Sequence, residues 1–273
     1  MENLHFMSVN DLSEAIRTMN LSPSEIVTQL LDRSERFNNQ LQIWQTLDKN
    51  IPLMQAEIRE KEILKGNYIG SLDGIPIGIK DIYFTKDIKT TCGSPIFEDF
   101  TPSYDAVAVQ SLKTNGSIIM GKTVTTQFAC GDPPLTKNPW NLGRTPGGSS
   151  SGSAAGVAAG FFPIAFGSQT AGSVLRPAAY NGIVGFKPTH GLLESEGMYP
   201  LAKSLDTVGW FSRTVLDSAL VLEYLSRNGG LSKTNGQSEI HWHAKNIPFP
   251  KKTSKYWAIV KLLFRQCCIL HKK

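Results

Sequence analysis

The groups in this chain that could do chemistry are a run of serine hydroxyls, one lysine and a set of glycines. The serines stand in Thr145-Pro146-Gly147-Gly148-Ser149-Ser150-Ser151-Gly152-Ser153-Ala154-Ala155-Gly156, and again in Gly167-Ser168-Gln169-Thr170-Ala171-Gly172-Ser173 ahead of Arg176-Pro177. The lysine ends an upstream stretch, Gly74-Ile75-Pro76-Ile77-Gly78-Ile79-Lys80-Asp81. A serine hydroxyl attacks an amide carbonyl only if a base takes its proton. Lysine is such a base only when neutral, which requires burial without a paired carboxylate to bring its pKa from about 10.4 to roughly 7–8. A shift of about 3 units is worth roughly 4 kcal/mol, so the fold must enclose the amine. A second serine between lysine and nucleophile can relay the proton. Glycines let backbone amides approach the substrate and point at the oxygen that becomes negative in the tetrahedral intermediate.

Plainer readings compete with each element. A Lys-Asp pair after an apolar run suits a solvated strand end, and a Gly/Ser run suits a linker. The linker composition does not continue, because Ala154, Ala155, Val157, Ala158 and Ala159 follow and read as a tightly packed small-residue helix, which Ser149 or Ser150 could cap. Gly116-Ser117-Ile118-Ile119-Met120-Gly121-Lys122-Thr123 has the spacing of a phosphate-binding loop, but its middle residues are apolar and β-prone and read as a core strand. Gly148-Ser149-Ser150-Ser151-Gly152 fits a nucleophile elbow, which needs an incoming strand; residues 139–146 are loop-like, with two prolines. The elbow also needs an acid and then a histidine downstream, whereas His190 precedes Asp206 and His241 and His243 lie in an anomalous tail.

The elements that must position these groups alternate between β-prone and helical runs. Residues 75–79, 117–120, 163–166 and 183–186 read as strands, and 106–113, 152–159 and an amphipathic stretch at 214–227 read as helices, the last stopping at Gly229-Gly230. Ser22-Pro23-Ser24-Glu25 combines a capping box with proline at the first helical position, and Ile26, Val27, Leu30, Leu31 and Phe37 follow at helical spacing. The expectation is an α/β fold with a mixed β-sheet core flanked by helices. Its divisions are an N-terminal helical region at 1–65, a core at 66–230 and an atypical basic tail at 231–273.

The ordered set of motifs resembles the amidase signature family. Besides the lysine and serine segments it includes Lys122-Thr123, Asn138-Pro139-Trp140-Asn141, Gly185-Phe186-Lys187-Pro188-Thr189 and Leu205-Asp206-Thr207, over residues 21–225. The resemblance implies the amidase signature fold and cleavage of a carboxylic amide C–N bond through a Ser-Ser-Lys triad and an acyl-enzyme. By residue it makes Ser173 the acylating serine, Ser149 the bridging serine and Lys80 the base, with the backbone N–H groups of Thr170, Ala171, Gly172 and Ser173 as oxyanion hole. It implies a small-molecule amide as partner and leaves room for a homodimer; no cofactor or metal and no nucleic-acid or membrane partner is expected, and four cysteines without metal-ligand spacing or disulfide density make a reducing cytoplasm the default. Gln169 stands where many members have aspartate, Ala171 where many have glycine, and Arg176 one position later than in some. These departures lean toward a general amidase over the glutaminase subunit of a tRNA-dependent amidotransferase.

Length and composition allow one large domain or two small ones. The chain has 273 residues, 41% of them hydrophobic, with no apolar stretch of transmembrane length and no basic-then-apolar leader. Cys92, Cys130, Cys267 and Cys268 have neither metal-ligand spacing nor disulfide-scaffold density; Cys92 and Cys130 are expected as small core residues. Residues 231–273 carry a net +8 against +5 for the whole chain, so residues 1–230 carry −3 and the basic excess belongs to the tail. In the tail, His241, His243, Cys267, Cys268 and His271 fit no ligand pattern well, and 257–264 has the character of a basic amphipathic surface helix. The favoured reading is a tail produced by truncation or a frame change, which would leave the chain a weak amidase or a non-catalytic remnant of one.

Overall fold

Apolar runs too short for helices become the buried strands of one mixed sheet. The computed structural model describes residues 4–227, so the expectations for the tail lie outside the described residues. The strands are β1 (Trp44–Thr46), β2 (Pro76–Lys80), β3 (Ile118–Thr123), β4 (Ile164–Gln169), β5 (Val184–Phe186) and β6 (Thr207–Ser212), in the order β1-β3-β2-β4-β6-β5. β2 runs parallel to β3 and β4; β1, β5 and β6 join antiparallel. Every residue of β2, β3, β4 and β6 is buried, as expected for central strands covered on both faces. β1 and β6 were not anticipated. β1 has only three residues, and β6, buried throughout, lacks the alternation that marks a half-exposed strand. β3 and β4 also run three residues further than expected, and those extra residues include Lys122, Thr123 and Ser168.

Seven α-helices surround the sheet among the described residues: α1 (Val9–Arg17), α2 (Pro23–Leu41), α3 (Asn50–Leu64), α4 (Val107–Thr114), α5 (Ser151–Ala159), α6 (Leu175–Asn181) and α7 (Val215–Arg227). α2 begins with the anticipated capping box: the Glu25 amide donates to Ser22 Oγ at 3.1 Å, and the Ser22 amide to Glu25 Oε2 at 2.8 Å. α2 buries Ile26, Val27, Leu30 and Leu31. Among the described residues, no helix is long and apolar enough to cross a membrane.

α5 is the helix that carries the serine run against the sheet, in contact with β2, β3 and β4. Its small residues allow a close approach. A Cβ on Gly152 would lie 2.4 Å from the Ile43 carbonyl oxygen and 2.5 Å from the Val124 nitrogen, and one on Gly156 would lie 2.2 Å from Phe162 Cζ. Helix hydroxyls buried this deeply must find partners. Ser151 Oγ donates to the Gly147 carbonyl at 2.7 Å, and Ser153 Oγ to the Phe166 carbonyl at 2.8 Å.

Candidate active site

Lys80 is the last residue of β2, and the parallel register Ile79↔Phe166 brings it to the C-terminal end of β4. Its Nζ lies 2.7 Å from Ser149 Oγ, in the loop before α5, and 2.8 Å from Ser168 Oγ on β4. Lys80 is 0% exposed, Ser149 1% and Ser168 5%. Burial pulls the amine down to about 7, opposed by the more distant charge of Asp206 and by Cys92. In its neutral form the amine has a lone pair for one hydroxyl proton and N–H donors for the other partner.

Asp81, next in sequence, does not form the solvated pair with Lys80 that the plainer reading offered. It is buried and committed to a second buried lysine: Lys122 Nζ lies 3.0 Å from Asp81 Oδ1 and donates to the Tyr83 carbonyl at 2.8 Å and Thr90 Oγ1 at 2.6 Å. The amide and hydroxyl of Thr91 donate to Asp81 Oδ2 at 2.9 and 2.6 Å. Burial pushes Lys122 down as well, but Asp81 draws it back. The two lysines therefore differ in kind: three acceptors surround Lys122, a full set for an ammonium, whereas Lys80 faces two hydroxyls. Lys122→Met strands a buried carboxylate and is expected to cost about 3–5 kcal/mol in a urea unfolding measurement, with part of the loss recovered by adding Asp81→Asn. The phosphate-loop reading fails on the same geometry, because 118–123 is a buried strand and the Lys122 amine is taken.

The serine run divides its work. The Gly148–Ser149 peptide bond is cis, and the Thr126 amide donates to the Ser149 carbonyl at 3.1 Å. Ser150 holds the N-cap position of α5 without a side-chain cap bond; its Oγ meets the Ser168 main chain instead, accepting from N–H at 3.3 Å and donating to C=O at 3.4 Å. No strand leads into Ser150, so an elbow is absent there.

Ser173 lies half-buried on the turn between β4 and α6, and among the described residues its hydroxyl has no hydrogen bond to Lys80 or Ser149. Two contacts tie this segment to the Ser149 loop. The Arg176 guanidinium donates to the Gly148 carbonyl from Nε at 3.1 Å and Nη2 at 2.6 Å, and a Cβ on Gly147 would lie 3.0 Å from Pro177 Cα. Gln169 Oε1 accepts the amides of Val174 and Leu175, both at 2.9 Å, and closes the turn. Among the described residues, no acceptor engages the amides of Ala171, Gly172 and Ser173. Arg176, noted in the sequence only as a displaced residue, is thus an anchor. Ser168 was missed, and extending the strand expected at 163–166 by one pleat would have put it on the Phe166 face. Cys92 is buried and its thiol is pushed up to about 12, while Cys130 is exposed, against expectation.

Known proteins are similar to this chain over most of its length. Two glutamyl-tRNA(Gln) amidotransferase A subunits, from Alkaliphilus metalliredigens and a Sulfurihydrogenibium species, are 41% and 42% identical over 85% and 80% of this chain. The match covers 49% and 46% of those proteins, so the chain spans about half the length of the curated relatives it matches. Among solved structures, the peptide amidase of Stenotrophomonas maltophilia superposes with a TM-score of 0.79 at 30% identity, over 86% of this chain and 51% of its own. A fatty acid amide hydrolase superposes with a TM-score of 0.80 at 27% identity, over 88% of this chain and 44% of its own. Residues 25–253 match the Amidase family model, and the chain belongs to the amidase signature family.

Proposed function

We propose that this chain carries the acyl-transfer chemistry of an amide C–N hydrolase. The observation that carries the reading is the Lys80 amine: fully buried, without a carboxylate bound to it among the described residues, pulled to about 7 and 2.7 Å from Ser149 Oγ. Disfavouring the charge to this extent corresponds to roughly 4–5 kcal/mol of burial, a cost that suits a proton acceptor better than a structural lysine.

In the proposed cycle Lys80 takes the proton of Ser149 as Ser149 takes that of Ser173, and Ser173 Oγ bonds to the amide carbonyl carbon. The carbonyl oxygen becomes an anion facing the amides of Thr170, Ala171, Gly172 and Ser173. The proton then returns through Ser149 to the amide nitrogen, the C–N bond breaks, and ammonia or an amine leaves the Ser173 ester. Water, deprotonated by the same relay, releases the acid. Ser168 accepts an N–H of the neutral Lys80 and so aims its lone pair at Ser149.

The test is ammonia release from primary amides, including glutamine and benzamide, with hydroxylamine added as a competing acceptor. A hydroxamate of the substrate acyl group is expected. If the wild-type chain releases no ammonia and forms no hydroxamate with any of them, it is not catalytic by itself, which is the remnant reading. A second reading rests on the curated relatives: 41% identity to an amidotransferase A subunit favours a glutaminase-type subunit working with a protein partner. That reading expects glutamine alone to be turned over, whereas a general amidase accepts benzamide too.

A further inference from the structure

Asp206 stands outside the lysine and serine contacts, immediately before β6, and is 7% exposed. Three donors converge on its carboxylate. Thr170 Oγ1 donates to Oδ1 at 2.5 Å, and the amides of Leu201 and Ala202 donate to Oδ2 at 2.9 Å each. The loop supplying those amides is anchored in turn: the Tyr199 amide donates to the Ile82 carbonyl at 2.8 Å, two residues past Lys80. The residue after Asp206, Thr207, pairs with Gln169 at the end of β4. The carboxylate therefore joins the exit of β4, the entry of β6 and the loop running back to the lysine strand.

Thr170 opens the turn that ends in Ser173. The far end is held by Gln169 Oε1 on Val174 and Leu175; at the near end the β4–β6 pairing stops at Gln169, and beyond it the Thr170 hydroxyl bonds Asp206. We infer that Asp206 is a positioning residue that, through Thr170 Oγ1, fixes the turn 170–173 against β6 and so aims its amides. A carboxylate suits the task because all three partners donate, and an asparagine would turn N–H groups toward donors. This inference rests on the reading of 170–173 as the oxyanion turn.

Thr170→Val removes the hydroxyl while sparing both loop amides, Thr170→Ser keeps it, and Asp206→Asn alters the whole junction. With a fluorophosphonate, Thr170→Val is expected to slow the maximal labelling rate about 10–100-fold, on the scale of a weakened oxyanion site, with the half-saturating reagent concentration within about 3-fold of wild type. Thr170→Ser should recover most of that rate. Backbone 1H–15N heteronuclear NOE values at Ala171, Gly172 and Ser173 should match β4 in wild type and fall in Thr170→Val and Asp206→Asn. Labelling of Thr170→Val at the wild-type rate, or a loss that Thr170→Ser does not restore, overturns the inference. If wild type is not labelled at all, the oxyanion reading falls, and the NOE alone decides: values unchanged in Thr170→Val refute the role of Asp206. Should Asp206→Asn fail to fold, the two Thr170 variants still decide.

Discussion

A fluorophosphonate is expected to form one adduct on wild-type protein, on the peptide bearing Ser173, and Ser173→Ala is expected to reduce capture to background, a loss of more than about 10³-fold. Ser173 is a half-buried hydroxyl on a turn whose neighbouring amides have no acceptor among the described residues. The rival nucleophiles are held otherwise. Ser150 is fully buried and engaged with the Ser168 main chain, and Ser149 is engaged with Lys80. Intact-mass and peptide mapping distinguish them, and an adduct on Ser149 or Ser150 would refute the assignment.

Lys80→Met should slow the same labelling by about 10²–10⁴-fold, the contribution of a positioned general base. Lys80→Arg should not rescue it, because a guanidinium stays protonated. The pH profile has a definite sign. In the proposed cycle Lys80 acts when neutral, and burial pulls its pKa to about 7, so wild-type labelling should climb as pH rises through 7 and level off above it. A profile that falls over that range, or a Lys80→Arg variant near wild-type rate, would remove the neutral-lysine mechanism. Loss of fold is excluded by the thermal midpoint at pH 7: the wild-type chain bears the cost of enclosing an amine that is protonated when unfolded, so Lys80→Met should melt at or above wild type.

Much of the fold was legible because its signals are local. The capping box at Ser22 and Glu25, the apolar run ending at Lys80 and the small-residue helix after Ser150 depend on neighbours in sequence and appear within a residue or two of where they were read. β1 and β6 were not legible: a three-residue strand and a continuously buried one owe their existence to strands distant in sequence. Cys130 misled for a related reason, since exposure is decided by what packs over a loop and not by residue type.

The residue types of the site, and the order in which they occur, were determined by the sequence alone: a lysine closing an apolar run, a serine cluster entering a glycine-containing helix, and a later serine after Gly172. What only the tertiary structure decided is which partner each side chain keeps. Nothing in Lys80-Asp81 says that Asp81 will bond Lys122 and leave Lys80 to Ser149 and Ser168, because those contacts span 41, 69 and 88 residues respectively and arise from the register of β2 between β3 and β4. Charge balance follows from that choice, since a neighbouring carboxylate favours the charged form of the buried Lys122 amine, whereas beside two hydroxyls burial pulls Lys80 down.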